Sequence, residues 1–326
     1  MNLEDIQVSK RPGFKAKTIK SIIHNKIDSW IKTITDEALR KKVEKSTIVT
    51  GGSIASMLLG EDVNDFDIYF RDHDTTLAVA KYYLDLFMKA KKDGKGIKTP
   101  MKVSDENGRV RIVVKSAGIA SEEGTDKPYE YFEGKPDESA AAYVGDVMDN
   151  PEQIADTYEE MALDTKTEKT APKYRPVFVT TNAITLSDQL QIILRFYGEP
   201  DQIHENYDFV HCTNYWTSWD NKLMLRPDAM EALLTKELHY VGSKYPICSL
   251  VRVRKFVSRG WRINAGQILK MVMQVNQLDL TNIKVLEDQL TGVDTAYFIQ
   301  LIERLKEKDP HKVDAAYLVE IVDRIF

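Results

Sequence analysis

Ile48-Val49-Thr50-Gly51-Gly52-Ser53, followed by Asp65-Phe66-Asp67-Ile68-Tyr69-Phe70, is the stretch on which the reading of this chain turns. The apolar pair Ile48 and Val49 suits the end of a buried strand. Two glycines then let the backbone turn sharply and come close to a ligand, because neither carries a Cβ. Ser53 opens a helix through Ile54, Ala55, Met57 and Leu58. Its unpaired amides and positive end would face whatever sits over the glycines, which makes an anion site suited to phosphates. Asp65 and Asp67 are two apart on the next strand, so both carboxylates leave one face while Phe66 and Ile68 leave the other. Two carboxylates held side by side repel, and a divalent cation is the usual reason to keep them there. The plainer alternative is a Gly-Gly turn beside a solvent-facing acidic strand.

Gly51-Gly52-Ser53, eleven residues and then Asp65-x-Asp67 together resemble the signature of the polymerase-beta-type nucleotidyltransferase superfamily. The resemblance implies an α+β fold with a mixed sheet, flanking helices and an all-helical C-terminal domain. It also implies an NTP substrate and two Mg²⁺ ions on Asp65, Asp67 and a third carboxylate. Tyr207-Asp208-Phe209-Val210-His211-Cys212 reads as a buried strand with Asp208, Val210 and Cys212 on one face, and resembles the superfamily strand that supplies that third acid, Asp208. His211 is read as a core or edge histidine.

Leu250 to Ile263 is the second informative stretch. It resembles the helix after the catalytic domain in tRNA nucleotidyltransferases and bacterial poly(A) polymerases, with Arg252, Phe256, Gly260 and Ile263 on the pattern. Lys255 and Trp261 depart from it, as does the lead-in Tyr245-Pro246-Ile247-Cys248. Arg252, Lys255, Arg259 and Arg262 recur at three- or four-residue steps, which predicts a basic helical stripe. From Lys244 to Lys270 there are seven basic residues and no acidic one. The stripe is either a solvated face or a phosphate contact. With it, the resemblance points to an RNA 3′ end as acceptor, Arg252 and Lys255 near the nucleotide, and Arg259 and Arg262 on RNA. Other readings are a protein or small-molecule acceptor, or a nucleotide-binding protein without catalysis.

Composition sets the outer bounds. A chain of 326 residues, 43% hydrophobic and 29% charged, reads as soluble and globular, with length for two or three domains. No apolar run approaches the roughly 20 residues of a membrane span, and no signal-peptide core opens the chain. The two cysteines, Cys212 and Cys248, and six scattered histidines form no zinc-spaced set, so a reducing cytoplasmic setting is the default. The net charge is −5, but unevenly spread. Ala120 to Arg175 holds fifteen acidic against six basic residues, leaving the rest of the chain net positive.

The organisation expected is an N-terminal helical segment over 1–46, a catalytic domain over 47–243 and a helical domain over 244–326. An acidic surface insertion at about 119–175 interrupts the catalytic domain, with Pro151 to Leu163 its best helix candidate. Apolar spacing predicts a helix from Ala16 to about Ile34, a second over Asp36 to Lys45, and one over Thr75 to Lys92. Strands are expected at Met101 to Val103, Arg109 to Lys115, Val177 to Ile184 and Gln191 to Tyr197. A short helix spans Pro200 to Glu205, and one from Pro227 runs to about Tyr240.

Overall fold

The computed structural model describes residues 11–92, 101–114, 173–179 and 182–280, together with 282, 285 and 289. In chain order these give α1 (Ala16–Ile31), α2 (Glu37–Ser46), β1 (Thr47–Thr50), α3 (Gly52–Leu59), β2 (Phe66–Phe70) and α4 (His73–Lys92). The hairpin β3 (Met101–Glu106) and β4 (Arg109–Val114) follows, then β5 (Pro176–Val179), β6 (Ala183–Leu186), β7 (Leu190–Ile193) and the short helix α5 (Pro200–His204). A 3-10 turn (Val210–Cys212), β8 (Tyr215–Thr217), β9 (Lys222–Met224), α6 (Pro227–Thr235), α7 (Pro246–Ser258) and α8 (Ala265–Val275) complete the described elements. The class is α+β: a mixed sheet flanked by helices, with helices after it.

The sheet runs β5-β6-β7-β2-β1-β8-β9. β1 and β2 are antiparallel, with Ile48 opposite Tyr69 and Thr50 opposite Asp67. β7 lies parallel on the other side of β2 and sets Gln191 opposite Asp67. Period-two alternation divides β2 as its sequence implies. Phe66, Ile68 and Phe70 enter the main core, and Tyr69 joins Ile48 and Ile203 in a smaller cluster on the opposite face. Asp67, on the Tyr69 side, is only half-buried.

The isoleucine stripe of α1 (Ile19, Ile23, Ile27) and Leu39 and Val43 of α2 belong to that same main core. Each such side chain contributes about 1.5–3 kcal/mol relative to exposure. Trp30 donates its indole N–H to the Tyr83 hydroxyl at 2.7 Å, pinning α1 to α4. Asp36 caps α2 by accepting from the Leu39 amide at 3.0 Å, and Asp72 accepts from the Thr75 amide and hydroxyl at the start of α4. The β3–β4 hairpin turns on Asn107-Gly108, both at positive φ, the pairing preferred for a two-residue loop.

Three expectations change. Tyr207 to Cys212 is not a strand: the Phe209–Tyr240 bridge is its one ladder contact, after which the 3-10 turn closes with Thr213 N–H on the Val210 carbonyl. The place beside β1 is taken by β8, so the chain must turn ahead of it. The helix from Pro227 ends at Thr235, not Tyr240, because Lys236 adopts the left-handed conformation (φ 49°). The basic stripe is also interrupted: α7 stops at Ser258, Gly260 has φ 81°, and Arg262 lies beyond it in a bridge with Glu237. Nearly all of the acidic insertion, the Pro151 to Leu163 helix and most of the tail after 280 lie outside the described residues.

Candidate active site

Gly51 has φ 95°, which side chains other than glycine's rarely adopt. A Cβ there would also fall 2.7 Å from Asp67 Oδ2 and 3.5 Å from the Tyr207 hydroxyl. Gly51 is therefore fixed twice, by its backbone and by the carboxylate pressed against it. Its own amide donates to the Cys212 carbonyl at 3.1 Å. Gly52 opens α3 and is exposed, with nothing within 4 Å of a Cβ, so the way to the first amides of the helix is open. A helix leaves those amides without intrahelical partners. Ser53 is 3% exposed and its Oγ has no hydrogen-bond partner. A buried hydroxyl without a partner costs about 1–3 kcal/mol, and here it stands in the turn where phosphate would bind.

Asp67 lies between Thr50 on β1 and Gln191 on β7. Asp65, half-buried, stands immediately ahead of β2 and not, as expected, on it, so strand alternation alone does not set its carboxylate beside that of Asp67. Among the described residues no three His, Cys, Asp or Glu side chains are grouped to hold a metal ion between them. Two carboxylates close to the start of a helix would still suit Mg²⁺, which binds one or two carboxylates and fills its remaining positions with phosphate oxygens and water.

Asp208 is held otherwise. Its Oδ2 accepts from Arg252 Nη1 at 2.6 Å, with the Asp208 side chain 11% exposed and that of Arg252 40%; its Oδ1 accepts from the Phe209 amide at 3.0 Å. The Cys212 thiol reports how near these groups stand. Burial raises its pKa most, Asp208 and Asp67 raise it further, and Arg252 and Arg259 lower it. Of the basic stripe, Arg252 and Arg259 thus act on the same thiol as Asp67 and Asp208, while Lys255 is exposed near the end of α7. Arg262 is turned aside, its Nη2 donating to the Thr235 carbonyl at the end of α6, 3.2 Å away.

Several neighbours went unmarked in the sequence. The Tyr207 hydroxyl donates to that of Tyr69 at 3.1 Å, and burial, with Asp67 close by, raises the pKa of both. Tyr69 was within reach, two residues past Asp67 on the same strand face. His204 meets the Thr50 hydroxyl at 2.8 Å, and that hydroxyl also bonds the Asn214 carbonyl at 2.9 Å. A hydroxyl has one proton, so with it given to Asn214 the imidazole Nε2 donates. Burial lowers the His204 pKa to about 4. His211 is in the core, 1% exposed, with ring centroids 4.6 Å from Phe256 and 4.2 Å from Trp261, but its buried Nδ1 has no hydrogen-bond partner among the described residues; burial lowers its pKa to about 4.

The chain belongs to the Gabija anti-defense 2 family, whose model matches residues 21–236. That span contains Gly51, Gly52, Ser53, Asp65, Asp67 and Asp208 and stops before α7. Gabija anti-defense 2 of Bacillus phage SPbetaL7 is 24% identical over 139 residues, 42% of this chain and 33% of its own length. The match thus spans about a third of that relative. Among solved structures, the Thermotoga maritima CCA-adding enzyme complexed with tRNA is similar at 11% identity and a TM-score of 0.36, over 77% of this chain and 45% of that one.

Proposed function

We propose that this protein is a metal-dependent nucleotidyltransferase of the polymerase-beta type, moving a nucleoside monophosphate from an NTP to an acceptor hydroxyl, and that it acts in the cytoplasm against a Gabija defence. The observation that carries the reading is the join of Gly51 to Asp67: a glycine at a helix start, in backbone that a side chain would strain and against a carboxylate, beside the orphaned Ser53 hydroxyl. The anti-defence role follows from the family and from the name of its phage relative.

Asp65 and Asp67 would hold Mg²⁺, one ion or two, which offsets charge on the departing pyrophosphate. Gly52 and Ser53 amides and the Ser53 hydroxyl would donate to the β- and γ-phosphates. Arg252 has two possible partners, Asp208 and a phosphate. Drawn to the nucleotide, it would release the Asp208 carboxylate to orient the acceptor hydroxyl and join Asp65 and Asp67 as a ligand. Tyr69 and Tyr207, both held neutral, would shield Asp67 from water on the inner side. The acceptor we favour is an RNA 3′ end, met by Lys255 and Arg259, with Arg262 at the margin.

Purified protein incubated with each labelled NTP, Mg²⁺ and total RNA tests this, with Asp67→Asn as control. Label on RNA from wild type alone is the expected result. Label on protein moves the acceptor to a polypeptide. Mg·NTP binding without label in any arm would overturn transfer and leave a nucleotide-binding protein. In bacteria carrying Gabija, wild type but not Asp67→Asn should restore phage plaques.

A further inference from the structure

A cleft of about 420 Å³ opens between the β3–β4 turn, the segment after β7 and the start of α7. This volume is within the range of sites that take small organic ligands. Arg109, Arg195 and Lys244 line it, with no carboxylate among the described residues of its lining. Phe196, Tyr197 and Tyr245 supply aromatic surface. Two of these cations, Arg195 and Lys244, lie over the rings. The Arg195 guanidinium is 4.4 Å from the Tyr245 centroid and 5.7 Å from that of Phe196, and the Lys244 ammonium is 5.5 Å from Phe196. Tyr197 donates its hydroxyl to the Gly108 carbonyl at 2.7 Å, so the hairpin wall is tied to the segment after β7 before any ligand arrives.

This differs chemically from the Gly51–Asp67 site. That site has carboxylates and needs a cation to take a phosphate; the charged side chains described in this one are all basic. A guanidinium lying over aromatic rings can accept a nucleobase on its outer face, and its charge meets the phosphate joined to it. The cleft also lies close to the other site. Asn206, in its wall, precedes Tyr207, whose hydroxyl stands beside Gly51, and α7 carries both Tyr245 at its start and Arg252 two turns on.

We infer that this cleft binds a single-stranded nucleic-acid segment without metal, its bases on the Arg195–Tyr245–Phe196 wall and its phosphates on Arg109 and Lys244. As the seat of an acceptor strand it rests on the transfer reading above; as a binding site it does not. An acidic peptide is the rival ligand.

The test is fluorescence anisotropy of a labelled oligoadenylate RNA in EDTA, titrated with the full chain across a salt series. Wild type should bind, with log affinity falling linearly against log salt. Arg109→Ala with Lys244→Ala should weaken binding about tenfold and flatten the slope by about 1.4, at roughly 0.7 per lost single-strand phosphate contact. Lys244→Glu, at an exposed position, guards against a misfolded double variant and should weaken binding in the same direction. Asp67→Asn should bind RNA in EDTA as wild type does. Unchanged affinity in both cleft variants would overturn the site, as would binding that requires Mg²⁺ and disappears in Asp67→Asn. Polyglutamate competing as well as unlabelled RNA would overturn the nucleic-acid assignment. Absent transfer with intact EDTA binding would defeat the proposed function and leave this inference standing.

Discussion

Arg252 reaches from α7 to Asp208 and holds its carboxylate at 2.6 Å, joining the helix to the segment that leads into the 3-10 turn. The carboxylate is the more buried partner, at 11% exposure against 40%. Removing Arg252 strands a buried charge, whereas removing Asp208 leaves a cation that can turn to water. Arg252→Ala should therefore destabilise more than Asp208→Ala, the latter costing about 1 kcal/mol after allowance for solvent screening. Urea midpoints in the reverse order would show that the pair is not what holds the turn. Asp208→Ala should also stop transfer yet keep Mg·NTP affinity within about tenfold.

Asp67→Asn should remove turnover without harm to the metal-free fold. One of two repelling carboxylates is neutralised, so the metal-free melting temperature should equal or exceed that of wild type. Asp65→Asn should behave alike. Transfer retained in both variants would sink the metal assignment.

Gly51→Ala places a methyl group against Asp67 Oδ2 in backbone that disfavours it. The expected cost is about 1–3 kcal/mol, read by chemical denaturation, together with loss of Mg·NTP binding. Gly52→Ala, where a Cβ meets nothing within 4 Å, should cost far less stability, and similar losses at both positions would contradict the geometry.

Ser53→Ala separates stability from function. Removing an unpartnered buried hydroxyl should leave the ligand-free protein equally stable or more so, while Mg·NTP binding weakens by about tenfold. A clear drop in ligand-free melting temperature would mean that the hydroxyl already has a partner.

Stability should also fall on mild acidification. His204 and His211 have pKa values lowered to about 4 by burial, against about 6.5 in an unfolded chain. Above that value both states hold them neutral and the fold has no penalty. Between about 6.5 and 4 the unfolded chain takes up protons that the folded one refuses, so unfolding becomes easier, by up to about 2.7 kcal/mol per pH unit for the two together. Urea midpoints should be flat from pH 7 to 8 and drop between pH 6 and 5. Replacing both histidines with glutamine should flatten that drop.

The paired motif was legible because its two physical demands, a glycine turn and period-two alternation, are local. Ile48, Gly51 and Phe66 through Phe70 are placed by short-range rules, and the isoleucine stripe of α1 finds the core for the same reason. Tyr207 to Cys212 failed because the same apolar alternation serves a strand or a buried turn, and only the arrival of β8 beside β1 decides between them. The stripe from Arg252 to Arg262 spans Gly260, a residue that commonly ends a helix, so the break carries a local sequence signal. The Arg252–Asp208 pair, 44 residues apart, had no local sign at all.

The central position of β2, with three strands on each side, has a kinetic consequence. Amide hydrogens of a middle strand exchange only when the sheet opens widely, whereas edge strands such as β5 and β9 fray at far lower cost. Ile68 and Phe70 should therefore be among the slowest amides in the chain to take up deuterium. A carboxylate mounted on that strand keeps its place while the rim of the molecule breathes, so thermal fluctuation should blur the acceptor's side of the reaction long before it disturbs Asp67.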